Sequence, residues 1–363
     1  MIRRAVLALL IGVAALLSTV VDAQPRAFPP GADIQAMLNS RVGGKPGFGI
    51  VLVTYRLGQR SHVYAAGTSG RADLPLNADT LFEIGSITKT FTASLLADMV
   101  RRREVRLEDP LANYLPSSIR VPERGGRKIT LLDLATHMSG LPGLPTNIHP
   151  KDLSNPYADF TEEMVDQFLS SYSLPRDIGS TYEYSAVGIG LLGRALGNRL
   201  NMSWEQALTE RILNPLGMIS TRATLSPALK RRLAPGHDER GKPTSNWDIP
   251  ALPAMGALHS AANDMTKFLI ANMNPRSRPF GRLFAEAHVP RVAMDEETRV
   301  GLAWQTGHGT NRTIVWHGGG TGGYRALIAF DPAKRNGVIV LTNFASGADD
   351  IGFHLLDPAL PLQ

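Results

Sequence analysis

Ser86-Ile87-Thr88-Lys89 sets a hydroxyl and a primary amine three residues apart. On a helix, residues i and i+3 share a face, so these two side chains can approach each other. A serine hydroxyl is a weak nucleophile until a neighbouring base takes its proton, and a lysine can serve when desolvation lowers its pKa. A serine in the first helical turn also meets backbone N–H groups that lack intrahelical partners and the positive end of the helix dipole. The pattern points to acyl transfer through Ser86 assisted by Lys89. S-x-x-K also recurs by chance with the lysine merely solvated, so the surrounding elements decide its meaning.

Gly85 precedes Ser86 at a strand-to-helix junction, and a helix is predicted from Ser86 to about Arg103, with Ile87, Phe91, Leu95 and Met99 at four-residue steps. Before it, a helix from Asp33 towards Arg41 leads to a buried strand over residues 48–55. A turn at 57–60 follows, then a returning strand over 61–66. The middle of the chain reads as helices (130–136, 161–170, 187–199, 203–212 and 261–272) joined by Pro- and Gly-rich loops. Strands return at 313–317, 324–330 and 338–344, with turn-rich segments between them at 318–323 and 331–337. Strands at both ends around a helical middle predict one antiparallel sheet built by both termini. The boundaries are an α/β part over about 24–81 and 274–363 and a helical insertion over about 82–273, with the active site in the cleft between them. The sequence shows no internal repeat or low-complexity segment.

Four stretches carry a resemblance. Residues 82–92, Phe-Glu-Ile-Gly-Ser-Ile-Thr-Lys-Thr-Phe-Thr, resemble the nucleophile motif of the serine β-lactamases and penicillin-binding proteins, in particular the class C branch. Residues 129–142 are similar to that family's block after the nucleophile helix. Residues 182–193 resemble its Tyr-x-Asn block, and residues 316–324, Trp-His-Gly-Gly-Gly-Thr-Gly-Gly-Tyr, its Lys-Thr-Gly strand in a His-x-Gly form. The blocks occur in order along nearly the whole chain.

The resemblance implies an α/β fold of the β-lactamase/transpeptidase type, with Ser86 as nucleophile and Lys89 as its activating partner. Tyr184 becomes the phenolic acid/base, with Tyr182 a rival if the register differs. It implies that His317, Gly318, Gly319 and Gly320 flank the substrate, and that the N–H groups of Ser86 and Gly320 form the oxyanion hole. No cofactor and no metal are implied, and the nine histidines show no paired ligand spacing. Two departures stand out. Ala186 occupies the usual Asn position, and His317 replaces the usual Lys, exchanging a fixed charge for one expected to titrate near about pH 6–7. Arg325 is a candidate to restore that charge. His137 reads as a buried, hydrogen-bonded residue. The implied substrates are D-amino-acid cell-wall peptides with β-lactams as mimics. A class C-like β-lactamase, a family VIII-type carboxylesterase and a slowly deacylating penicillin-binding sensor remain as alternatives.

Composition agrees with an exported enzyme. Arg3 and Arg4 precede an apolar run from Ala5 to about Val21, and Val21-Asp22-Ala23 offers a cleavage point, so residues 1–23 read as a signal peptide; a retained anchor helix is the alternative. Cysteine is absent, so disulfides are excluded. The net charge of +6 is scattered, and the basic clusters at 101–103 and 230–232 are not interleaved with aromatics, which argues against nucleic acid as a partner. The expected partner is a small molecule or peptide with a scissile amide or ester, encountered in the periplasm or outside the cell.

Overall fold

The computed structural model describes residues 27–363 apart from 277, 279, 308 and 311. The expected signal peptide, residues 1–23, lies outside the described residues. Among the described residues no helix is long and apolar enough to cross a membrane.

The sheet begins with β1 (Gly49–Arg56) and β2 (His62–Gly67), while β3 (Leu81–Glu83) and β4 (His259–Ala261) pair with each other beside it. It continues with β5 (Val292–Ala293), β6 (Arg299–Val300), β7 (Gln305–Gly307), β8 (Ile314–Gly320), β9 (Arg325–Asp331) and β10 (Asn336–Thr342). The order across the eight-stranded sheet is β2-β1-β10-β9-β8-β7-β6-β5, antiparallel at every pairing. The last long strand therefore lies against the first, with Val53 opposite Ile339, and the sheet is built by both ends of the chain.

Successive residues of a strand face opposite sides. Ile50 and Leu52 pack under α1 (Gly31–Val42) and α9 (Asp349–Leu356), whereas Val51 and Val53 face the larger core shared with the helices of the middle region. Burial on both faces explains why β1 and β10 are apolar almost throughout rather than alternating.

In the middle region α2 (Thr88–Arg101) is buried along nearly its whole length, with Phe91 stacked 3.9 Å from Phe268 of α7 (Ala262–Met273). The region also holds α3 (Leu131–Ala135), α4 (Glu162–Ser171), α5 (Ala186–Leu200) and α6 (Trp204–Leu208), and α8 (Gly281–His288) follows α7.

Three local readings change. The segment 318–320, turn-rich by composition but a strand by the resemblance, continues β8, because without side chains its backbone can run close to the nucleophile turn. The helix expected over 203–212 gives way after Leu208 to a wider π-type turn, Thr209–Leu213. The strands β5 to β7 and the helices α8 and α9 had no reading in the sequence. Strands of two or three residues are too short to show an alternating pattern.

Candidate active site

Ser86 sits on a tight turn between β3 and α2. Ile84 N–H donates to the Leu258 carbonyl, then Gly85 takes φ +47° and a 3₁₀ turn, Gly85–Ile87, runs into α2. A Cβ on Gly85 would lie 2.7 Å from the Gly320 nitrogen, so both the positive φ and the close strand require glycine. From the other side, a Cβ on Gly319 would lie 2.0 Å from the Ile84 carbonyl oxygen and 3.1 Å from the Ser86 nitrogen. β8 and the nucleophile turn thus pack backbone to backbone, with the Gly320 amide beside Gly85 and the Ser86 amide beside Gly319.

Lys89 Nζ donates to Ser86 Oγ at 2.8 Å and to the Met255 carbonyl at 2.5 Å. The lysine is only 1% exposed. Its second partner was not legible in the sequence, since a backbone carbonyl 166 residues away has no signature. The position of Met255 nevertheless has a cause. A Cβ on Gly190 would lie 2.8 Å from Leu252, and one on Gly193 2.1 Å from the Ala254 Cβ, so the bare face of α5 seats the 252–255 turn. Ala186, at the start of α5, offers Lys89 no amide. Among the described residues the hydrogen bonds of Lys89 Nζ go to Ser86 Oγ and the Met255 carbonyl.

Tyr184 lies with its ring centroid 5.1 Å from Lys89 Nζ and is 36% exposed, open to the cleft. Tyr182 faces inward. Its hydroxyl is buried, and burial raises its pKa well above the ordinary phenol. The geometry therefore separates the two tyrosines. His137 supports the segment: its backbone carbonyl accepts from Glu183 N–H at 3.0 Å, its Nδ1 accepts from Ser185 N–H at 3.1 Å, and its ring lies 4.6 Å from that of Tyr184. Ser185 Oγ then caps α5 by accepting from Gly188 N–H.

His317 departs from expectation. It is buried, its Nδ1 lies 2.6 Å from the Gly318 carbonyl, and its Nε2 has no hydrogen-bond partner among the described residues. Burial and then the Lys89 ammonium push its pKa down to about 3, so it is neutral at working pH and cannot supply a titrating positive charge near pH 6–7. His137 is likewise held to about 3 by burial, Lys89 and His317.

The cleft, about 510 Å³, brings Ser86, Tyr184, His317, Gly318, Gly319, Gly320 and Arg325 together and adds five residues that were not among the expected site residues, Trp247, Gln305, Trp316, Thr321 and Asp349. Larger hollows elsewhere on the surface do not include Ser86. Arg325 opens β9 opposite Gly320, and its Nε donates to the Ala345 carbonyl at 2.8 Å. Trp247 is placed by its N–H donating at 3.0 Å to buried Glu83, the last residue of β3. Among the described residues no group of three His, Asp or Glu side chains converges to hold a metal ion.

Comparison with known proteins agrees with this geometry. A family model, Beta-lactamase, matches residues 39–355. The chain is 30% identical to the D-alanyl-D-alanine-carboxypeptidase/endopeptidase AmpH of Escherichia coli, over 93% of this chain and 92% of that protein. It is 26% identical to a beta-lactamase of Lysobacter lactamgenus, over 77% and 78% of the two. A crystal structure of a class C beta lactamase from Rhodobacter sphaeroides superposes with a TM-score of 0.72 at 26% identity, covering 86% of this chain and 94% of that one. A sheet built by both termini, a Ser-x-x-Lys turn packed against a glycine strand, and these likenesses along most of the chain lead to one conclusion: the chain belongs to the beta-lactamase family and is a serine hydrolase that works through an acyl-enzyme.

Proposed function

We propose that Ser86 is the acylated residue of an exported hydrolase acting on D-amino-acid cell-wall peptides, with β-lactams as mimics. The observation that carries this reading is the 2.8 Å contact of Lys89 Nζ with Ser86 Oγ, beside a glycine strand whose Gly320 amide lies next to the nucleophile turn. Ser86 Oγ attacks the carbonyl carbon, and its proton passes through Lys89 and Tyr184 to the leaving nitrogen or oxygen. The developing oxyanion is met by the N–H groups of Ser86 and Gly320, a contribution of about 3–4 kcal/mol per donor in a measured protease. Water then attacks the acyl-serine, gives its proton back along the same route and releases a carboxylic acid. No cofactor enters these steps. Export is supported by Arg3, Arg4 and the apolar run to Val21 ahead of Ala23.

A second reading, hydrolysis of short acyl esters, is favoured by one specific observation. A neutral His317 where the resemblance places a lysine leaves no charge at that position to recognise a substrate carboxylate beside the scissile bond. The purified protein is incubated with a fluorescent penicillin, a D-Ala-D-Ala peptide and a short p-nitrophenyl ester, with Ser86→Ala alongside. The proposal expects Ser86-dependent turnover, with the peptide preferred. Preference for the ester alone supports the second reading. A stable penicillin adduct without turnover of either substrate indicates a sensor. Turnover that survives Ser86→Ala rejects the assignment of the nucleophile.

A further inference from the structure

One cation and one acid line the cleft beside Ser86 without forming an ion pair with each other. Arg325 is fixed in aim. Its Nε is tied to the Ala345 carbonyl, and a Cβ on Gly320 would lie 2.6 Å from one of its terminal nitrogens, so the guanidinium lies against the strand that borders Ser86. Asp349, the first residue of α9, lines the same cleft. The neighbouring carboxylate, Asp350, is engaged by Arg41 at 2.5 Å. Asp349 makes no ion pair among the described residues, and its Oδ1 is buried without a hydrogen-bond partner. A carboxylate kept only for stability is normally paired where it is buried, because a buried acceptor without a donor is costly. The space where a Gly347 Cβ would sit is 2.7 Å from the Arg325 stem and 3.6 Å from Asp349 Oδ1, and that of Gly318 is 3.8 Å from the Trp316 ring and 4.0 Å from Asp349 Oδ2, so both charged side chains border the same glycine-lined space.

We propose that Arg325 and Asp349 form a two-charge recognition subsite for an amino-acid head group, its carboxylate on Arg325 and its ammonium on Asp349. The preferred substrates are then amides or esters that carry a free α-amino acid end at some distance from the scissile carbonyl. This deepens the reading of Ser86 as the acylated residue and rests on it. The neutral state of His317 fits the assignment, because a second cation there would bias the cleft towards simple anions. The groups whose charges act on Asp349 are Arg325, Arg41 and Asp350. Burial raises its carboxyl to about 6, so the acid is charged at neutral pH and above.

The test uses four p-nitrophenyl esters of N-acyl-D-alanine that differ only at the acyl end. That end is α-aminoadipoyl through its distal carboxyl (ammonium and carboxylate), adipoyl (carboxylate only), 5-aminopentanoyl (ammonium only) or pentanoyl (neither). For the unmodified enzyme at pH 7.5, kcat/KM for the first exceeds each of the others by roughly tenfold or more, the size expected for hydrogen bonds to charged groups. Asp349→Asn brings the ratio of aminoadipoyl to adipoyl to about one, and Arg325→Gln does the same for aminoadipoyl against 5-aminopentanoyl. Ratios within each variant cancel any general loss of activity. The ammonium preference of the unmodified enzyme fades as pH falls through about 6, with Asp349 taking up its proton. Equal use of all four esters by the unmodified enzyme overturns the proposal even if the variants do not fold, and so does an unchanged ratio in Asp349→Asn. Failure of the underlying reading looks different: pentanoyl ester hydrolysis would persist in Ser86→Ala.

Discussion

The two ends of the cleft are built on different principles. At the nucleophile end, backbone sets the positions. Gly85, Gly319 and Gly320 let a strand lie against a turn, and the glycine face of α5 brings the Met255 carbonyl to Lys89. At the other end side chains set the charge: burial and then Lys89 keep His317 neutral, and burial, opposed by Arg325, raises the Asp349 carboxyl. Geometry enforced by backbone contact tolerates little change and serves the chemistry shared by the family. Side-chain charge can be exchanged at small structural cost.

The sharpest way to break this contrast is at Lys89. Lys89→Met keeps the volume and removes the amine, and we expect kcat/KM to fall on the order of 10²–10⁴-fold with the fold intact, since replacing a buried charge by an apolar isostere is often neutral for stability. A loss below tenfold in steady-state assays would mean that the lysine only fills space.

Next comes Gly319→Ala, whose Cβ would lie 2.0 Å from the Ile84 carbonyl. It should separate strand from turn, costing on the order of 10²–10³-fold in kcat and about 1–3 kcal/mol in stability. Gly318→Ala is the control, because its nearest neighbour would be 3.8 Å away. Both kinetics and thermal melts should single out Gly319. Equal effects at the two positions would contradict a backbone-set nucleophile end.

The effect of acid is smaller and graded. His137, His288 and His317 have folded pKa values of about 3, below the ordinary value of 6.5, so the unfolded chain binds more protons between those limits. Stability is therefore full above about pH 6.5 and is lost as pH falls through this window, by about 1.4 kcal/mol per pH unit for each histidine well inside it. Denaturant melts from pH 7.5 to 4.5 test this. His317→Asn should shallow the slope, and the kcat/KM profile of the unmodified enzyme should show no His317 titration near its ordinary pKa of 6.5.

The smallest effect is expected at Asp349. Its folded pKa of about 6 lies above the ordinary 3.8, so the folded state binds the extra proton and stability declines as pH rises through that interval. Asp349→Asn should raise the melting temperature at pH 8 more than at pH 4. A functional charge held at a cost to stability predicts that sign. A lower melting temperature at pH 8 would make Asp349 a structural acid.

Much of the nucleophile end was legible from the sequence. The three-residue spacing of Ser86 and Lys89, the four-residue apolar steps behind them and the glycine before Ser86 all express short-range geometry, and the structure keeps them together. The long strands were legible because residues such as those at 50–53 and 338–341 are β-branched or leucine and buried on both faces. The recognition end was not. Nothing local tells that His317 is neutral, since that follows from enclosure by distant elements and from Lys89. Asp349 lies at the head of a short C-terminal helix that α1 and the sheet position, and Met255 acts through its backbone.

The most direct test of the account is the site of acylation. The protein is treated with a penicillin, its intact mass is recorded, and the labelled peptide is mapped. The account predicts a mass gain of one penicillin on the peptide containing Ser86, absent in Ser86→Ala and greatly slowed in Lys89→Met. A label on another residue, or one that persists in Ser86→Ala, would contradict it.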